Sequence, residues 1–175
     1  ADIPDETTIY AQEGSAAHEM AEYKIRWHLG AKDLAPPNVG NFNAEEIDRY
    51  TDSYAYYATD KIETIRKICP DAIVMVEQRL DFSNYVKDGF GTGDLVIVAD
   101  DVLQVIDFKY GKGVTVSAEL NPQMMLYALG ALNLYGYLYD IKTVKTAIVQ
   151  PRLDNISEWE ISVDELLEWA ENTLK

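Results

Sequence analysis

The chain has 175 residues, 47% of them hydrophobic, which is enough for one globular domain with a buried core and no need of disulfides. Cys69 is its only cysteine, which excludes a disulfide framework and a zinc ribbon and leaves Cys69 itself as a small buried hydrophobe. A net charge of −15 excludes tight nonspecific binding of duplex nucleic acid by this chain alone, because that affinity comes from cations that displace counterions.

The charge is uneven. Residues 1–22 carry six acidic and no basic side chains, and residues 154–175 carry seven acidic ones against Lys175, so the middle of the chain is close to neutral. No run of 18 apolar residues occurs, and the first residues lack the basic start and apolar stretch of a signal peptide. No membrane partner and a cytoplasmic location are therefore expected.

Ala17, Met20, Ala21, Lys24 and Ile25 at helical spacing predict a first helix over 15–30, capped by Ser15 and stopped by Gly30. A loop with Pro36-Pro37 follows, and Asn43 with Glu46 three residues later is a capping-box pattern that opens a long second helix. Ile47, Tyr50, Tyr54, Tyr57, Ile62, Ile65 and Ile68 form its apolar stripe, which ends before Pro70 and reads as core packing. Residues 73–80 predict a strand, and 94–109 a hairpin that completes three consecutive strands. Asn121-Pro122 starts a third helix whose apolar run reaches Tyr139. Strands over 143–149 and 158–161 follow, then a final helix capped by Ser162 with Glu165. The order ααβββαββα, without repeat or linker, predicts a single α/β domain over residues 1–175 with a central mixed sheet flanked by helices.

The hairpin carries the chemistry. If Asp100-Asp101 is a two-residue turn, Ala99 faces Val102, Val96 faces Val105, and Asp94 faces Asp107. Strict alternation then puts both aspartates on the face of Val96, Val98, Leu103 and Val105, with Leu95, Ile97, Ile106 and Phe108 on the other. Directly opposed like charges destabilise a sheet, by roughly 4 kcal/mol at about 4 Å and an effective dielectric near 20. A hard divalent cation, Mg²⁺ or Mn²⁺, offsets that repulsion. Lys109, two residues beyond Asp107, lies on the same face. Two carboxylates, a cation and an ammonium make a phosphate-hydrolysis site, whereas a solvated hairpin end is the bland reading of any one of these residues alone. Arg79, Lys87, Lys109 and Lys112 form a weak basic cluster in or beside it.

These residues resemble the PD-(D/E)XK nuclease superfamily, specifically its RecB-like branch and a phage and prophage family within it, over roughly residues 8–150. His18 in Gly14-Ser-Ala-Ala-His18-Glu, Asp94 in Gly-Thr-Gly-Asp, Asp107 and Lys109 in Ile-Asp-Phe-Lys-Tyr-Gly-Lys-Gly, and Gln123 with Tyr127 in Gln-Met-Met-Leu-Tyr follow the branch's order. The resemblance implies a restriction-endonuclease-like fold and a metal held by Asp94, Asp107, the main-chain carbonyl of Phe108, and His18. It implies that Lys109 orients or activates the attacking water. Gln123 and Tyr127, at i and i+4 on one helix face, would hold the nucleic-acid backbone.

For His18 alone a structural histidine is the alternative. Glu77, mid-strand in an apolar run, binds a second metal, pairs with Lys109, or makes a structural salt bridge. Lys112 touches phosphate or is a solvated loop lysine, and His28 reads as ordinary. No proline precedes Asp94, and the four cysteines of the cluster-bearing members are missing, so no iron–sulfur cluster is expected. The first residues resemble the interior of a longer family member, so a trimmed part of a longer protein is expected, with a basic DNA-binding surface in the remainder.

The activity so implied is a metal-dependent deoxyribonuclease, an exonuclease linked to phage recombination, replication or repair in a bacterial host cell. Its partners would be a single- or double-stranded DNA end, and a homo-oligomer or phage recombination partner. The alternative is a noncatalytic module or acidic DNA mimic that binds a basic partner. A glycosidase fits poorly, because nothing places a second acid across a sugar cleft.

Overall fold

The computed structural model describes residues 6–174. Its elements are α1 (Glu6–His28), α2 (Ala44–Ile68), β1 (Ile73–Asp81), β2 (Phe90–Ala99), β3 (Val102–Phe108), α3 (Pro122–Tyr135), β4 (Thr143–Gln150), a 3-10 turn (Pro151–Leu153), β5 (Asn155–Ser162) and α4 (Val163–Leu174). The sheet order is β1-β2-β3-β4-β5, antiparallel throughout except for the parallel pair β3 and β4. That parallel pair needs a crossover, which α3 supplies. The expected α/β class, mixed sheet and element order are all present in one compact domain.

Three of the four helix starts obey their caps. The side-chain oxygen of Asn43 accepts from the Glu46 N–H at 3.1 Å, that of Asn121 from Met124 at 3.1 Å, and that of Ser162 from Glu165 at 3.1 Å. The first helix departs from expectation. It reaches back to Glu6, and Ser15 is no cap: its hydroxyl donates to the Ala11 carbonyl inside the helix. Gly14-Ser15 looks like a boundary, but Ala11, Gln12 and Glu13 just before it are good helix formers, and Glu13 gains an ion pair with Arg152 in the 3-10 turn at 3.0 Å. Gly30 stops the chain beyond α1 as expected, with φ of +114°.

Two other boundaries shift. Helix α3 ends at Tyr135, where the Gly136 N–H bonds to Leu132, and the expected continuation through Tyr137 and Leu138 is exposed instead. Strand β5 begins at Asn155, earlier than its apolar residues suggest, because it pairs with β4 from Gln150↔Asn155 to Thr143↔Ser162. Ile68 leaves the α2 stripe and is exposed, while Ile47, Tyr54 and Ile62 are buried.

One face of the sheet, with Leu95, Ile97, Ile106 and Phe108, packs under α1 and α2. The other, with Val96, Val98, Leu103 and Val105, packs under α3 and α4. Cys69 is buried, as expected. Among the described residues no helix is long and apolar enough to cross a membrane.

Helix α3 rests directly on β1. A Cβ at Gly130 would lie 2.9 Å from Leu80 Cβ and 3.2 Å from the Asp81 backbone nitrogen. In an exposed helix, Gly→Ala stabilises by roughly 1 kcal/mol. Here Gly130→Ala is expected to destabilise by about 1–3 kcal/mol through overpacking, read as a lowered denaturant midpoint. An unchanged or raised midpoint would contradict this packing.

Candidate active site

The hairpin has the predicted register, Leu95↔Ile106 through Ala99↔Val102, about a turn whose Asp100 has φ of 53°. That register places Asp94 opposite Asp107, but the backbone ladder stops at Leu95↔Ile106. In its place the Asp94 carboxylate accepts the Phe108 N–H at 2.6 Å. On the other flank the β1–β2 ladder runs to Val76↔Leu95 and resumes at Gln78↔Gly93, skipping Glu77, which has φ of 53°. Strand β2 thus loses both neighbours' ladders at one residue.

The faces switch there. Val74 and Val76 pack with the α1/α2 core, whereas Leu80, further along β1, belongs to the α3/α4 core. In β2, Leu95 and Ile97 face α1 and α2, yet a Cβ on Gly93 would meet Leu80 Cδ1 at 3.0 Å and Val96 Cγ2 at 3.1 Å. The expected even alternation of Asp94 with Val96 and Val98 therefore fails. Asp94 turns toward α1, with Oδ2 3.6 Å from His18 Nε2, and lines a small cleft with His18, Glu22, Tyr54 and Glu77.

His18 bridges helix and sheet. Its Nδ1 is 2.8 Å from the Gly14 carbonyl and its Nε2 is 2.6 Å from the Phe108 carbonyl. A carbonyl can only accept, so both ring nitrogens donate and the ring is an imidazolium. Burial alone would lower its pKa, but the hydrogen bond and charge of Asp94, with the two carbonyls, raise it to about 9. The Phe108 ring is seated between His18, at 5.0 Å, and the buried Tyr54, at 4.7 Å between centroids.

Asp107 is only 6% exposed. Burial, then the neighbouring Asp94 charge, pushes its pKa up to about 6 against the pull of Lys109. The Lys109 ammonium lies 3.0 Å from Asp107 Oδ2 and donates to Gln123 Oε1 at 3.0 Å. The Gln123 amide donates in turn to the Tyr127 hydroxyl at 3.1 Å. The structure thus brings together His18, Asp94, Asp107, Lys109, Gln123 and Tyr127, with the Phe108 carbonyl among them.

Glu77 sits beside this cluster but does not pair with Lys109, whose ion pair goes to Asp107. Burial, then Asp94 and Glu22, raise Glu77 to about 7, with His18 and Arg26 opposing. Lys112 is outside the cluster, in an adjoining groove with Tyr110 and Arg152. Arg79 stacks on the Phe90 ring, and His28 hydrogen-bonds Glu63 at the surface, an ordinary role as expected.

Two residues were missed from sequence. Arg26 donates to the Val76 carbonyl at 3.1 Å, just before Glu77, and to Glu22 at 2.8 Å. Its signal was positional: 22 and 26 follow His18 at steps of four along one helix face. Gly91 admits Tyr127, whose Cε1 would be 2.6 Å from a Cβ there. Its signal was a glycine inside a strand, which marks a bulge or close approach.

Among the described residues no three His, Cys, Asp or Glu side chains form a ready-made metal cluster. Two carboxylates and the Phe108 carbonyl nevertheless suit a hard cation, and the one imidazole favours Mn²⁺ over Mg²⁺. The His18 proton, held against Phe108 O and near Asp94, stands among the oxygens such an ion would bind.

The model of the family described as Protein of unknown function (DUF2800) matches residues 1–175. The chain belongs to the DUF2800 family. Among solved structures, one described as "Crystal structure of SSO0001" is similar over 91% of this DUF2800 chain and 75% of its own, at 16% identity and a TM-score of 0.26.

The pKa shifts of the three site groups share one sign. Asp107 and Glu77 keep protons up to about 6 and 7 that the unfolded chain releases near 3.8 and 4.5. His18 keeps to about 9 a proton that the unfolded chain loses near 6.5. These three groups bind more protons in the native state, so their contribution to stability falls as pH rises through both windows. Without added metal, the unfolding midpoint is expected to be higher at pH 6 than at pH 9, with a flatter profile in His18→Asn. Equal stability at the two pH values would contradict the protonated site.

Proposed function

We propose that this chain is a divalent-metal-dependent deoxyribonuclease with a PD-(D/E)XK site on a restriction-endonuclease-like fold. The observation that carries this reading is the pairing of buried Asp107 with partly buried Asp94, with the Lys109 ammonium 3.0 Å from Asp107 and His18 3.6 Å from Asp94. Asp94, Asp107, the Phe108 carbonyl and His18 would hold Mg²⁺ or Mn²⁺, and His18 must give up its Nε2 proton to do so. When bound, such an ion lowers the pKa of water and stabilises charge on phosphoryl oxygens.

The chain's own groups do the rest. Lys109, fixed between Asp107 and Gln123, presents a positive charge to the anion that develops at phosphorus. Gln123 and Tyr127 present amide and hydroxyl donors from one helix face to the strand's phosphates. Glu77, half-buried in the cleft with its pKa near 7, is placed to take or return a proton. No iron–sulfur cluster takes part. Exonucleolytic action on a DNA end, in phage recombination, replication or repair, follows from the resemblance.

A second reading, a noncatalytic module that mimics DNA for a basic partner, is favoured by the acidic ends of the chain. A buried carboxyl held against a second carboxyl and a lysine is costly for a module that needs only surface charge.

Mn²⁺ titrated into the protein with labelled single- and double-stranded DNA is expected to switch on cleavage. Asp107→Ala and Lys109→Ala should each lower the rate by at least about a hundredfold. Cleavage that survives both substitutions, or never occurs with Mn²⁺ or Mg²⁺, would overturn the proposal.

A further inference from the structure

Next to the aspartate pair, the chain leaving β3 and the first half of α1 enclose an open groove of about 640 Å³, lined by Tyr10, Glu13, Gly14, Tyr110, Lys112 and Arg152, with Gly111 and Gly113. It joins the site directly, since Gly14 is the carbonyl partner of His18 Nδ1 and Tyr110 follows Lys109. Its floor is neutral: Arg152 pairs with Glu13 at 3.0 Å and lies 4.6 Å over the Tyr110 ring. Its rim is different. Lys112 is exposed and, among the described residues, belongs to no ion pair, and Tyr10 is 61% exposed.

The two glycines are informative. Neither is among the glycines with positive φ, which are Gly30 and Gly40. A Cβ on either would meet nothing within 4 Å. Neither backbone conformation nor packing within the chain calls for glycine, so what these residues provide is a bare backbone open to close approach from outside. The segment is also held at both ends. The Lys109 N–H bonds to Val149, and beyond the arch Gln150 donates to the Val114 carbonyl and accepts from Val116, while Ser157 accepts from Ala118.

We propose that this groove binds the nucleotide adjacent to the cleaved bond on a single polynucleotide strand, with its phosphate on Lys112 and the glycine arch and its base against Tyr10. The inference rests on the nuclease reading above. Lys112 is three residues from Lys109, so the Cα atoms of the two lysines are at most about 11 Å apart. The volume is that of a small-molecule pocket and takes one or two nucleotides, not a duplex. One unpaired cation beside an exposed aromatic is the combination that binds single strands without reading sequence. The same lone cation is too little for a duplex against the chain's net charge of −15.

The test uses the full chain with EDTA present, so that binding is separated from cleavage. A fluorescein-labelled short oligothymidylate is expected to bind at least about tenfold more tightly than a blunt duplex, and Lys112→Ala and Tyr10→Ala should each weaken it at least about fivefold. Oligothymidylate binding unchanged in both variants, or preference for the duplex, would overturn the groove. Failure of the nuclease reading looks different: the wild type binds the oligothymidylate, the variants weaken it, and Mn²⁺ produces no cleavage. If Mn²⁺-dependent cleavage occurs and both variants bind and cleave like the wild type, the groove falls and the nuclease stands.

Discussion

At Asp94, strand β2 loses hydrogen bonding to β1 and to β3 together, and the polar groups released there must find other partners because they are shielded from water. Side chains supply them. Asp94 itself takes the Phe108 N–H, His18 takes the Phe108 carbonyl, and Arg26 takes the Val76 carbonyl. Two of the three come from α1, so the helix is held to the sheet by the bonds that the interrupted ladder gave up. The same exchange turns the end of a sheet into a cleft walled by acids, with Tyr54 and Phe108 packed beneath it.

Charge follows from that geometry. Asp107, Glu77 and His18 are all raised, and in each burial is the largest influence, raising the two acids and opposing the rise in His18. Without a cation, the proton that Asp107 keeps up to about 6 and the imidazolium of His18 offset the close approach of the two aspartates. Lys109 is the counter-charge from the other side, and its second bond, to Gln123, carries the arrangement on to Tyr127 and α3. That helix can approach because Gly130 and Gly91 leave room against β1 and β2. The site is thus set by both layers of helices.

The hairpin register was legible because a two-residue turn and period-2 apolar runs leave one consistent pairing, and the placement of Asp94 opposite Asp107 in the candidate site followed from it. The caps at Asn43, Asn121 and Ser162 were legible for the same local reason. The face switch was not, since alternation carries no mark of an interrupted ladder. Its traces were indirect: Glu77 inside an apolar run, and Gly91 and Gly93 spaced two apart across from it. The start of α1 was hidden because its support is tertiary, the pair between Glu13 and an arginine 139 positions away. Lys112 could be suspected from its glycine neighbours, but only the fold separates it from the aspartate pair and sets it in the adjoining groove.

The protonated bridge at His18 is the most exposed part of this account, because it joins fold, electrostatics and metal chemistry in one ring. Nitrogen NMR of ¹⁵N-histidine-labelled protein reads it directly, with His18→Asn assigning the resonances. At pH 7.5 without metal, both ring nitrogens of His18 should carry protons, and saturating Mg²⁺ should lower its pKa well below the value of about 9. A neutral His18 ring at pH 7.5, or a titration that Mg²⁺ leaves unmoved, would contradict the account.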